Sequence, residues 1–148
     1  MNAGHAQTAP VEWAKAGEQL PKLSYGPIGG EALLRYAAVS GDDNPLHIDP
    51  ALARQAGLEE RPIHGMLMMG HFEPMILAWR PDVELISLSA KFLRPVLAGQ
   101  SFELSGRVIR VTGGENPSMI LRLMVHAVGG DLSLVAEALL RPRCKAGV

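Results

Sequence analysis

"HGMLMMGHFEPMILAW", residues 64–79, decides how the rest of the chain must be arranged. Wound as a helix it is apolar nearly all round, with Met66, Leu67, Met68, Met69, Phe72, Met75, Ile76, Leu77 and Trp79, so it must be buried on most sides. It is shorter than the roughly 18 residues that cross a bilayer. It also carries His71 and Glu73, which makes a core helix the better reading. Pro74 has no N–H to offer the carbonyl of Gly70, which predicts a kink at Pro74, and Gly70 makes the bend easier.

A helix without a polar face needs a surface to cover it, and the sequence supplies one downstream. From residue 83 the apolar period changes to two. Ile86, Leu88, Ala90 and Phe92 alternate with Leu85, Ser87, Ser89 and Lys91; Phe102, Leu104, Gly106 and Val108 alternate with Glu103, Ser105 and Arg107. Met119, Leu121, Leu123, Val125 and Ala127 form a third such row, and Leu132, Leu134, Ala136 and Ala138 a fourth. Half-buried strands joined by short turns such as VLAGQ and TGGENP predict an antiparallel sheet. The fold class is therefore α+β, one sheet with one apolar face against one long helix.

Upstream, LPKLSYGPI (20–28) is bounded by prolines and reads as an edge strand. EALLRYAAV (31–39) reads as a helix that Gly41 can cap, and Asp49, Pro50 and Gly57 supply the start and stop of a short helix over 50–56. Between these helices lies "SGDDNPLHIDP", residues 40–50, which can hardly be regular. Alone, an Asp and a His five apart in a loop describe a capped turn more readily than a catalytic pair. A metal cluster of Asp42, Asp43, His47 and Asp49 is disfavoured, because neighbouring ligands on a short proline-containing loop seldom converge. His64 and His126 are most simply structural.

At 148 residues the chain is the size of one domain, and 47% hydrophobic against 20% charged composition is ordinary for a globule with a single core. Residues 1–20 are expected to be a flexible arm, 21–142 the domain and 143–148 a tail. The 14 basic and 15 acidic residues are mixed along the chain, so nothing draws it to nucleic acid or an anionic membrane. A lone Cys144 forms no internal disulfide, and the N-terminus lacks the basic start and apolar run of a signal peptide. The cytoplasm is the expected compartment. The five histidines, without a CxxC pattern, leave little for a structural zinc site, and no metal is expected.

The units Gly41-Asp42-Asp43-Asn44-Pro45-Leu46-His47 and Pro62-Ile63-His64-Gly65-Met66, in that order, resemble the MaoC-like dehydratase or R-specific enoyl-CoA hydratase family. The likeness runs from about residue 20 to 140 and includes "AGL" and "KFLRPVLAG". It implies a hot-dog domain, an antiparallel sheet wrapped around the apolar helix. It also implies reversible (R)-specific hydration of trans-2-enoyl thioesters, or dehydration of 3-hydroxyacyl thioesters, carried by coenzyme A or an acyl carrier protein. The catalytic dyad of the family falls on Asp42 and His47, and its backbone oxyanion donor on Gly65. Asn44, Met66, Met69 and Phe72 are the expected substrate contacts, Asn44 also helping to hold the turn. No cofactor is expected beyond the thioester carrier, and a homodimer or larger oligomer is, with a heterodimer as an alternative.

One departure is Ala98-Gly99-Gln100, where many relatives have an acidic residue; it reads as turn chemistry. Two other functions use the same fold: an acyl-CoA thioesterase and a non-catalytic subunit of a heteromeric dehydratase. The complete overhang argues against the first, and the presence of both Asp42 and His47 against the second.

Overall fold

The structure, a computed structural model, describes residues 14–144. Five strands, β1 (Leu23–Tyr25), β2 (Val83–Phe92), β3 (Phe102–Thr112), β4 (Ser118–Ala127) and β5 (Leu132–Pro142), form one antiparallel sheet in the order β1-β3-β4-β5-β2. Four helices precede or interrupt it: α1 (Gly30–Ser40), α2 (Pro50–Gln55), α3 (Gly65–Met69) and α4 (Phe72–Trp79). Met68, Phe72, Met75 and Ile76 of α3 and α4 share one buried cluster with Phe102, Leu104, Leu121, Leu123, Leu134 and Leu140 of the sheet. This is the hot-dog arrangement, and the apolar helix is its filling.

The alternating pattern holds on β3, β4 and β5, where Phe102, Leu104, Val108, Met119, Leu121, Leu123, Val125, Leu134, Ala136 and Ala138 all face inward. It fails on β2, and the register also shifts past Val108 on β3 and past Val125 on β4. The register of β2 with β5 shifts between Leu85 and Ser87, so Ile86 stands in a bulge, exposed, while Val83 and Leu85 join Leu88 and Ala90 on the inner side. One extra residue reverses the parity of everything before it, which a fixed period of two cannot register.

The central helix, residues 65–79, kinks upstream of Pro74 rather than at it. Its two pieces meet at Gly70–His71, and Pro74 sits in the first turn of α4, where an absent N–H leaves no bond unmade. The proline thus acts one turn upstream, at the carbonyl it cannot bond. At the kink the His71 N–H turns to Met68 O (3.1 Å), and the His71 ring Nδ1–H donates to Leu67 O (2.8 Å), satisfying the carbonyl that the backbone abandons. The same ring lies against Tyr25 and Phe102, with centroids 4.3 and 5.5 Å away. His71 is therefore a fixed part of the frame, and Glu73 is exposed.

Residues 1–13 of the expected arm lie outside the described residues, and the rest of it runs beside β3. The Gly17 N–H donates to Val108 O (2.7 Å), the Leu20 N–H donates to Gly106 O (2.9 Å), and the Leu20 side chain is buried. Gly106 leaves the room: a Cβ there would meet both Leu123 and Leu20. At the turn before β3, the Gln100 side chain accepts from the Leu97 N–H (2.8 Å), so this departure from the acidic residue of relatives is turn chemistry as expected.

Candidate active site

The helix α1 ends where the sequence predicts, on Gly41, whose φ of 78° is the left-handed conformation that closes a helix most readily without a side chain. The overhang beyond Gly41 is held by short local bonds. The Asp42 N–H donates to Ser40 Oγ (3.1 Å), the Asn44 N–H to Asp42 Oδ1 (3.4 Å) and the Leu46 N–H to Asn44 Oδ1 (3.1 Å). These side-chain-to-backbone turns, with Pro45 fixing its own φ, wind Pro45–His47 into a single 3-10 turn. Asp49 then caps α2, accepting from the N–H of Ala51 (2.9 Å) and of Leu52 (3.4 Å). Asn44 therefore braces the turn through its side chain.

Two longer bonds tie this overhang to the rest of the molecule, and both end on the segment before α3. His47 Nδ1 lies 2.7 Å from the carbonyl oxygen of Pro62. A carbonyl only accepts, so Nδ1 carries the proton and the Nε2 lone pair is left for chemistry. His64 Nε2 lies 3.1 Å from the carbonyl oxygen of Asp42, which by the same argument fixes its proton on Nε2 and leaves a lone pair on Nδ1. That Nδ1 is buried without a hydrogen-bond partner.

His64 is 0% exposed, with Tyr36 of α1 on it at 4.7 Å and the His47 ring stacked nearly parallel at 4.0 Å. Burial holds its pKa below the ordinary imidazole value of 6.5. The neighbouring His47 pushes the same way, while the Asp42 carbonyl and carboxylate oppose it. The ring is thus kept neutral beside Asp42 and His47. Read from the sequence alone, His64 is structural; its place immediately before the helix head is the one signal that could have singled it out.

One residue further on, Gly65 begins α3, where the first amides of a helix have no intrahelical acceptor. Gly65 also borders a cleft of about 350 Å³ that Asp42, Met66, Met68, Phe92 and Arg94 help to line. A Cβ on Gly65 would overlap the Phe92 ring, so glycine here allows the end of β2 to close over the helix head. Met66 is at the cleft and 54% exposed; Met69 is half-buried against the core, and Phe72 is wholly inside it, beneath the sheet and away from the cleft lining. The cleft's far wall comes from residues the sequence did not mark. Ser133 is buried and donates through Oγ to Arg94 O (2.6 Å), while the Arg94 guanidinium pairs with Asp131 at 2.5 Å.

Asp42, His47 and His64 place one donor atom each within 4.8 Å of one another. Tetrahedral zinc takes its donors from different directions around one centre at about 2.0–2.1 Å. One nitrogen of each ring is already engaged with a backbone carbonyl, and the two rings are stacked at 4.0 Å. Among the described residues no helix is long and apolar enough to cross a membrane.

Known proteins resemble this chain in sequence and in fold. The (R)-specific enoyl-CoA hydratase of Aeromonas caviae is 31% identical over 77% of this chain and 86% of its own length. A solved structure of the (R)-hydratase from A. caviae involved in PHA biosynthesis superposes with a TM-score of 0.80 at 27% identity, covering 89% of this chain and 99% of that one. A mitochondrial 3-hydroxyacyl-[acyl-carrier-protein] dehydratase of Arabidopsis thaliana is 46% identical over 49% of this chain, a match that spans 43% of that longer protein. Residues 15–127 match the family described as MaoC like domain, and the chain belongs to that family.

Proposed function

We propose that the chain is a hydro-lyase that adds water to trans-2-enoyl thioesters, or removes it from (R)-3-hydroxyacyl thioesters, with Asp42 and His47 as the working pair. One observation carries this reading: the overhang holding Asp42 and His47 is anchored on the same four residues, Pro62–Gly65, that end at the helix head lining the cleft.

Hydration requires water oxygen to bond C3 and a proton to arrive at C2, with negative charge passing through the thioester oxygen. A water held between the Asp42 carboxylate and the free Nε2 of His47 gives up one proton as its oxygen attacks, and one proton is returned to C2, so the pair ends as it began. The Gly65 N–H is the donor for the thioester oxygen, worth roughly 3 kcal/mol in comparable sites. Because α3 is only five residues long before the kink, the amide itself contributes more than a helix macrodipole would. Asn44 and Met66 border the reacting part. Phe72, wholly in the core, and Met69, half-buried against it, lie outside the cleft lining, so their part is indirect, as support beneath Met66 and Met68. No cofactor is called for, since the carrier thioester supplies the activation.

The reading includes a second subunit. Among the described residues β2 is bonded only on its β5 side, and Phe92 (52% exposed) and Leu93 (45%) stand at the end of that free edge, next to the cleft. An open ten-residue edge beside exposed apolar side chains is a natural place for a copy of the chain or a related one. The single cysteine motivates a cytoplasmic setting. Incubation with a short trans-2-enoyl-CoA is expected to consume the conjugated double bond without releasing thiol. Thiol release indicates a thioesterase instead, and an inert protein indicates an accessory subunit.

A further inference from the structure

We propose that His64 is a positioning residue for the Asp42–His47 pair, acting as a neutral ring clamped between Asp42's backbone and the face of His47. The proposal rests on the hydro-lyase reading but concerns a residue which that reading does not use.

The overhang has little of its own to set the separation of its two chemical groups. Its side-chain-to-backbone bonds link residues two apart, its backbone bonds within the 3-10 turn span three or four, and Asp42 and Asn44 are exposed. Asp42's longer tie is the bond from His64 Nε2–H to its carbonyl, across 22 positions of sequence. His47 has two restraints: the carbonyl of Pro62 on its Nδ1, and the face of His64 stacked at 4.0 Å with 23° between the planes. One buried ring therefore bears on both members at once, and its own position is set by burial and by Tyr36. Misplacement of a reacting group by about 1 Å typically lowers rate by about 100-fold.

The clamp works only while His64 is uncharged. A proton on its Nδ1 would set a cation beside the ring that must accept a proton during turnover. The groups facing it are Asp42 from the overhang, His47 from the 3-10 turn and Tyr36 from α1. The first would welcome such a charge and the second would resist it, and the burial of the ring decides for neutrality.

Two measurements on the full chain test this. In ¹⁵N-histidine NMR, His64 is expected as the Nε2–H tautomer and predominantly neutral at pH 6.5, where an ordinary imidazole is half charged. A ring that is charged there, or protonated on Nδ1 alone, overturns the clamp whether or not the protein turns over a thioester. In kinetics, His64→Phe keeps a ring but loses the donor, and kcat should fall about 100-fold with KM within about twofold. His64→Gln keeps a donor and should recover to within about tenfold of wild type. In an Asp42→Asn background, His64→Phe should change kcat by no more than about threefold, because the pair that His64 holds together is already disabled. A full additional 100-fold loss there, or a His64→Gln as slow as His64→Phe, contradicts the proposal. Melting temperatures are taken alongside, and if His64→Phe does not fold, the glutamine variant and the NMR tautomer decide the matter.

Discussion

The two segments that meet at the cleft, residues 41–49 and 62–65, are built in opposite ways. The first is exposed, irregular and rich in side chains that bond their own backbone. The second is largely buried, from Pro62 to His64, and passes directly into a helix. In the proposed mechanism the chemistry resides on the first and the geometry on the second. An exposed loop can carry a carboxylate and an imidazole without the desolvation that burial would impose on them. It cannot fix their separation alone, and both are tied to a buried segment. Function borne by a loop and precision borne by a rigid neighbour is a common division of labour; in this chain four residues, Pro62–Gly65, do the fixing.

Breaking the exposed side should abolish the chemistry and spare the fold. Asp42→Asn and His47→Ala are each expected to lower hydration at least about 100-fold, with melting temperatures within a few degrees of wild type. Retained activity in either variant removes the pair from the mechanism. Breaking the buried side should do the reverse first. Gly65→Ala puts a methyl into the Phe92 ring and is expected to destabilise by about 1–3 kcal/mol, read from the urea midpoint. Adding Phe92→Ala should return most of that loss. If the double variant is no more stable than Gly65→Ala, the close contact is not what requires glycine.

A smaller effect separates the segments by pH. The folded pKa of His64 lies below its unfolded value near 6.5, so between the two the unfolded chain binds more protons than the folded one. Its contribution to stability is whole above pH 6.5 and is lost as pH falls from there through the folded pKa. The urea midpoint should accordingly decline on acidification below about pH 6.5, and His64→Phe should flatten that part of the curve. An unchanged curve means that His64 is not the titrating group.

Much of this arrangement was legible in the residues. Asp49, Pro50 and Gly41 mark helix ends through local rules, and the structure uses each of them as such. The inward rows of β3, β4 and β5 follow from a period of two, which a regular strand cannot evade. The bulge at Ile86 was not legible, because an inserted residue alters parity without altering composition. Pro74 announced a disturbance, but its position was displaced to Gly70–His71, since a proline acts on the carbonyl one turn before it. His64 was hidden for another reason: its importance comes from Asp42 and His47, which only the folded chain brings to it. Phe92, Arg94 and Ser133 reach the cleft from strand ends through tertiary packing alone.

The most direct test of the central claim, one water held between Asp42 and His47, is the stereochemistry of hydration in D₂O. A single water on one side of the double bond requires the C3 hydroxyl and the C2 deuterium to arrive on the same face, giving one diastereomer of a singly labelled (R)-3-hydroxyacyl thioester. Addition to opposite faces, or a mixture of labelled diastereomers formed before any reverse reaction, would contradict it.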